Sequence, residues 1–253
     1  MKGLNVNKEF KDYYLKFNLP IQIVGILSAI FLPFDFTKVI ILTIFFHIIA
    51  YWIGIQCGSH KLFSHKSWEP KYPWITYVIG YIACFGLMGG PVLWSLVHRW
   101  HHAHSDTDLD PHSPKHGFVR SYYTWLYNVP HVPLRFIKDH IADLNLIKID
   151  RNCKKIVLLT LILFAIIDYE IAIALLLAMT LTFHVEMSIN CFAHRKQKDT
   201  WTSVNYPLLG LITGGSSLHA NHHLDSNNWN FSTKWYEIDP SAWFIKLLMK
   251  EKQ

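Results

Sequence analysis

Apolar positions along the chain gather into blocks whose lengths suit a lipid bilayer. Leu19 to Phe34 is an apolar run, the segment Asp35-Phe36-Thr37-Lys38 breaks it, and a second run extends from Val39 to Cys57. Roughly 20 apolar residues in a helix cross the hydrocarbon core, so the pair predicts a transmembrane hairpin. Further on, Ile156 to Ile167 and Ile171 to Val185 flank the acidic break Asp168-Tyr169-Glu170 and predict a second hairpin. Its first arm is short and must recruit Asn152 to Lys155, whose lysines can reach back to the interface.

Trp74 to Val97 is also mostly apolar, but Gly80, Gly86, Gly89, Gly90 and Pro91 interrupt it. A crossing there would put the histidines before and after it on opposite sides of the membrane. It therefore reads as a re-entrant or interfacial helix. The pattern as a whole predicts an all-α fold of four transmembrane helices in two hairpins, with spans at about 19–36, 39–58, 153–168 and 170–190. A helical cytoplasmic cap, 59–152 and 191–253, completes a single domain covering 1–253. Residues 1 to 18, with Lys2, Lys8, Lys11 and Lys16 among aromatics, read as an interfacial segment, and Trp235 to Met249 as an aromatic, amphipathic close.

Composition agrees: 51% of residues are hydrophobic and 17% charged, which is greasier than an ordinary water-soluble domain. The net charge of +6 forms no nucleic-acid-binding stripe, so anionic lipid headgroups are the simpler partner. Of 24 Lys and Arg, only Lys38 falls in a hairpin tip, the bias that places the cap on the cytoplasmic side. The N-terminal residues lack the compact core and cleavage site of a signal peptide, so the first span is expected to direct insertion. Cys57, Cys84, Cys153 and Cys191 are scattered without a Cys-x-x-Cys pair, which argues for reduced thiols over an iron–sulfur cluster or disulfide framework.

Chemistry concentrates in histidine. His60 and His65; His98, His101 and His102; His194; and His219, His222 and His223 form four groups that this topology brings to one membrane face. On a helix His98 stacks with His101 or His102, while His101 and His102 diverge by roughly 100°, so two adjacent ions suit the three rings better than one. His60 and His65 would diverge by roughly 140° on an unbroken α-helix, which calls for a helix end between them or a different metal for each. Structural zinc closes at four ligands, usually with Cys, and no His-Glu-x-x-His marks a hydrolytic site, so two iron ions fit best. Asp106, Asp108 and Asp110 are candidates to accept the second N–H of ligand rings. Of His47, His104, His112, His116, His131, His140 and His184, most read as surface or packing residues, and His47 lies mid-span, where an ionisable group is by default a functional candidate.

The boxes HKLFSH, HRWHH and HANHH resemble the three histidine boxes of integral-membrane fatty acid desaturases. HRWHHAHSDTDLDPHSPKHGF, NCFAH and NFSTKWYEIDPSAWFIKLL resemble the stearoyl-CoA-desaturase-like branch in particular, over about residues 50 to 250. The resemblance implies a di-iron centre (Fe2+/Fe3+) held by these nine histidines, a metal-bound water held by Asn190, and O2 as co-substrate. It also implies insertion of a cis double bond, often at carbon nine, into an acyl chain held in an apolar tunnel. A membrane hydroxylase, acetylenase or ketolase of the same di-iron type is the alternative, and a metal transporter is disfavoured because the histidines lie at span ends. In animal acyl-CoA members an Arg-Asp pair precedes the second box, where this chain has Leu96-Val97; the third box commonly follows Gly-Glu, where it has Gly215-Ser216. The acyl carrier, whether CoA, acyl carrier protein or an intact lipid, stays open. With no redox domain in sequence, electrons are expected from a separate ferredoxin or cytochrome b type donor with its reductase. The membrane is expected to be the bacterial inner membrane or the endoplasmic reticulum.

Overall fold

A computed structural model describes residues 6–251. Its first helix starts well ahead of Leu19. Helix α1 (Val6–Tyr13) passes through a π-helical stretch, Tyr14–Asn18, into α2 (Leu19–Phe31). Phe10, Tyr13, Tyr14 and Phe17 recur three or four residues apart and bury one face, while Lys11 and Lys16 take the other. That aromatic stripe is why the segment expected to lie along the interface instead continues the first span, which runs from Lys8 to Phe31.

The Asp35 side chain accepts from the Lys38 backbone N–H and starts α3 (Phe36–His47), which runs on as a π-helix over Ile48–Ser64. Helices α4 (Pro73–Ala83) and α5 (Pro91–His104) follow, bent by 77° at a short break, the shape of a broken span or a re-entrant loop. The short α6 (Phe118–Tyr122) and α7 (Lys138–Ile141) lead to α8 (Leu144–Ile167) and α9 (Tyr169–Phe192). Strands β1 (His194–Gln197) and β2 (Thr200–Ser203) pair antiparallel with His194 opposite Ser203, and α10 (His219–Leu224) and α11 (Pro240–Leu248) close the chain.

Among the described residues, three helical stretches are long and apolar enough to cross a membrane, Lys8–Phe31, Phe36–Ser64 and Tyr169–Phe192, or four if α4 and α5 count as one bent span. Helix α8 is 24 residues long but carries Lys148, Asp150, Arg151, Lys154 and Lys155 in its first half. Only its later part offers the exposed Leu159, Ile162, Leu163 and Ile166 that suit lipid. Helix α9 lies at the centre, packed on α2, α3 and α8.

The two interhelical turns meet at one end. Lys38 Nζ lies 2.7 Å from Glu170, whose Oε1 also accepts from the Asp35 backbone N–H at 2.7 Å, and Tyr169 Oη donates to the Pro33 carbonyl. His60, His65 and His194 lie at the opposite ends of these helices.

Candidate metal centre

The π-helix decides how the first two histidines meet. Its i→i+5 hydrogen bonds, His65 N–H to the His60 carbonyl at 3.1 Å among them, bring residues five apart nearly over one another. The helix also ends at Ser64, between the two, so His65 sits on its C-cap and both rings join one group without separate ions. The end of this helix leaves carbonyls without intrahelical donors, and Arg99 supplies them: its guanidinium donates to Phe63 O at 2.6 Å and Ser64 O at 2.7 Å. It also grips Asp139 through both arms, at 2.8 and 3.0 Å. Arg99 lies between His98 and His101 on α5, so one side chain sets the first pair against the second group.

The third group is placed from below. Gly215 adopts φ +94°, and a Cβ there would lie 2.3 Å from Asp239 Oδ1. Asp239 pairs with Lys61 at 2.6 Å in full burial, so the glycine lets the loop before α10 close onto the π-helical stretch Ile48–Ser64.

All nine histidines converge, in two groups. His60, His65, His98, His102 and His222 form one, and His101, His194, His219 and His223 the other, with ligand atoms in each within 4.8 Å of one another. In the first, Nε2 atoms lie 3.0 Å apart for His60 and His222, 2.8 Å for His65 and His98, and 2.8 Å for His102 and His222. In the second, the spacings are 3.0 Å for His194 and His219, 3.0 Å for His219 and His223, and 3.4 Å for His101 and His223. Two nitrogens each about 2.0–2.1 Å from one ion and at adjacent vertices are separated by about 2.9–3.4 Å, so these spacings are those of ligands around an ion.

The far side of several rings fixes which nitrogen is bare. His101 Nδ1 donates to both Asp110 oxygens at 3.0 Å, His194 Nδ1 to Asp106 Oδ2 at 2.9 Å, and His60 Nδ1 to Gln56 Oε1 at 2.9 Å. With the proton on Nδ1, each ring turns a lone pair toward its group. Burial first, and neighbouring rings second, push His219, His222 and His223 well below 6.5, which keeps them neutral donors. Nine neutral imidazoles without a thiolate are a donor set for borderline first-row metals, and these residues fit two such ions.

Residues 35–246 match the model of the fatty acid desaturase family. This chain belongs to that family. The desaturase is 32% identical over 221 residues to sn-2 palmitoyl-lipid 9-desaturase of Nostoc sp. (strain 36), covering 82% of this chain and 77% of the relative. It is 30% identical over 245 residues to delta-9 acyl-lipid desaturase 2 of Arabidopsis thaliana, covering 92% and 78%. With acyl-CoA C20 delta5-desaturase of Anemone leveillei it shares 28% over 207 residues, covering 77% and 66%. It is accordingly an oxidoreductase of the desaturase type.

Around the nine rings, sequence reasoning and structure part in places. Of the three candidate aspartates, Asp106 and Asp110 touch ring nitrogens, whereas Asp108 is exposed and pairs with Lys115 at 2.8 Å. His112, read as surface or packing, is buried with its ring centroid 4.3 Å from that of His101, and it forms a third close group with His101 and Asp110. His47 bridges α3 to α9 and the later loop through Thr182 Oγ1 at 2.9 Å and the Ile212 carbonyl at 3.1 Å, a packing role. Asn190 lines a small cavity with His98, Trp94, Glu186 and Met187. Gln56 went unrecognised, although four residues before His60 is a helical neighbour, a signal available from spacing.

Proposed function

We propose that this protein is an O2-dependent acyl desaturase that places a cis double bond, at carbon nine, in a saturated acyl chain. Its nine histidines hold two irons, five rings on one and four on the other, and Asn190 holds a water beside them. The observation that carries this reading is the convergence of the nine imidazoles into groups of five and four at ligand spacing. The names of two relatives, one acting on palmitoyl-lipid and one on acyl-lipid, favour carbon nine and an intact lipid as the acyl carrier.

Bound iron supplies what no side chain can, activation of O2 and removal of hydrogen from an unactivated C–H bond. The protein supplies position. Asp106, Asp110 and Gln56 hold ring protons on the outer nitrogens. A small cavity lined by Phe10, Tyr14, Met88, Trp94, Val97 and Trp125 puts apolar walls next to His98 and Asn190. The balance is one CH2–CH2 unit, O2, two electrons and two protons, giving one CH=CH unit and two waters. The electrons come from a separate carrier docking on the basic face of the cap. That cap is cytoplasmic and the helices form two hairpins, a reading supported by the lysine and arginine distribution and by the meeting of the two turns.

The test is expression with an electron donor in a desaturase-deficient host, followed by mass analysis of acyl chains. Loss of two hydrogens at carbon nine is expected. Unchanged chains from an iron-loaded protein would refute the assignment, and gain of one oxygen would make it a hydroxylase.

A further inference from the structure

The nine rings are not the whole of the polar interior. Above the first box, Tyr51, Gln56, Glu186 and Ser216 form a buried network drawn from three parts of the chain. Gln56 is fully buried, and its two ends face different partners: Oε1 accepts from His60 Nδ1 at 2.9 Å, and Nε2 donates to Glu186 Oε2 at 3.3 Å. The same Glu186 oxygen accepts from Tyr51 Oη at 2.7 Å. Having spent its proton there, Tyr51 accepts from Ser216 Oγ at 3.0 Å, in the loop that leads to the third box.

An amide can be turned over, exchanging its oxygen for its NH2. Turned over, Gln56 would present N–H groups to His60, which would move the imidazole proton to Nε2 and remove a lone pair from the five-ring group. Glu186, an acceptor at this position, holds the amide the right way round. It stands four residues before Asn190 on α9 and its hydrogen bonds run to Gln56 and Tyr51, so its influence on the metal runs through Gln56.

We infer that Glu186 is a positioning residue for the five-ring iron, acting on His60 through Gln56. This rests on the two-iron reading. In energetic terms, partners one step out from a metal ligand commonly change affinity by about 10–100-fold, so the effect is measurable without turnover.

The experiment is competitive chelation and Mössbauer spectroscopy of the full-length, iron-loaded protein in detergent. His219→Ala, which opens the four-ring group, identifies the signal of the five-ring iron as the one that persists. Gln56→Leu should weaken that iron about tenfold or more, Glu186→Leu severalfold, and the double variant no more than Gln56→Leu alone. Glu186→Gln keeps an acceptor and should hold iron like wild type. If Glu186→Leu does not fold, Glu186→Met, closer in length, takes its place. Additive losses, equal weakening of both signals, or no change in Glu186→Leu would overturn the inference. A wild-type chain that binds no iron would overturn the two-iron reading itself, a distinguishable result.

Discussion

The five-ring and four-ring groups share helix α5 yet are supported differently. Four of the five rings stand on two packed helices, His60 and His65 at the π-helical end and His98 and His102 on α5, and an uncharged amide ties His60. The four-ring group draws single rings from α5 and the start of β1 and two from the short α10, so its elements hold it less firmly. It has two carboxylates instead, Asp110 on His101 and Asp106 on His194. A carboxylate holding an imidazole proton makes the opposite nitrogen a stronger donor than an amide does. One group has ligands in number and the other ligands of greater basicity, so the same substitution should cost them unequally.

Removing a ring tests this most severely. His219→Ala leaves three rings in its group, and the expected outcome is one iron per chain by metal analysis and no detectable product. His65→Ala leaves four, and both irons should remain with weakened binding. Equal iron loss in the two variants would end the comparison. Next in size is Asp110→Asn. The Asp110 carboxylate is buried and accepts from His101 with both oxygens, so its loss should weaken the four-ring iron by about 10–100-fold. Asp108→Asn, at an exposed pair with Lys115, should leave both irons as they are.

Arg99 bears most directly on the five-ring group, because it bonds the carbonyls of Phe63 and Ser64 beside His65. Arg99→Leu takes the donor from the Ser64 and Phe136 carbonyls and one of two cations from Asp139, while His140 still bonds the Phe63 carbonyl and Lys66 still pairs with Asp139. A loss of about 3 kcal/mol in unfolding free energy is expected, from hydrogen bonds to a charged group. Arg99→Lys should recover only part of it, since an ammonium cannot bridge both carbonyls and the carboxylate as the planar fork does.

How much of this was legible beforehand differs between the two ends of the molecule. The nine histidines and the two turns, Asp35 to Lys38 and Asp168 to Glu170, stand out because charge and imidazole are rare among apolar runs. The π-helix was not legible: nothing in Ile48–Ser64 by composition marks an i→i+5 ladder, although the helix end that α-helical angles call for between His60 and His65 is present at Ser64. The N-terminal helix was missed for the opposite reason. Its lysines suit an interface, although Phe10, Tyr13, Tyr14 and Phe17 carry a helical period that tertiary packing uses. Glu186 is a single polar residue whose meaning depends on Gln56 and Tyr51, more than a hundred residues away, which spacing does not reveal.

Asp150 caps the helix that both groups share and so separates effects on either from effects on that helix. Its Oδ1 accepts from the backbone N–H groups of Val92 and Leu93 at 2.9 and 3.0 Å, capping α5 from α8, and Gly90 leaves room for it, since a Cβ there would lie 2.2 Å from that oxygen. Burial pushes the carboxyl up to about 6, against the pull of those two N–H groups, with nearby Glu9 raising it further and Arg151 lowering it. The folded chain therefore keeps this proton to about pH 6, while the unfolded chain releases it near pH 4. Over that interval the folded state binds more protons, so the contribution to stability is present at low pH and declines as pH rises through the window. Asp150→Asn keeps an acceptor for both N–H groups but has no proton to lose. The difference in unfolding free energy between the two iron-free proteins should shift toward the Asn variant from about pH 4 to pH 7, by up to about 3 kcal/mol. The histidines titrate alike in both chains and cancel in that difference. A flat difference would mean that the capping carboxylate is better stabilised as the anion than its burial implies, and iron binding at the two groups should then respond equally to its removal.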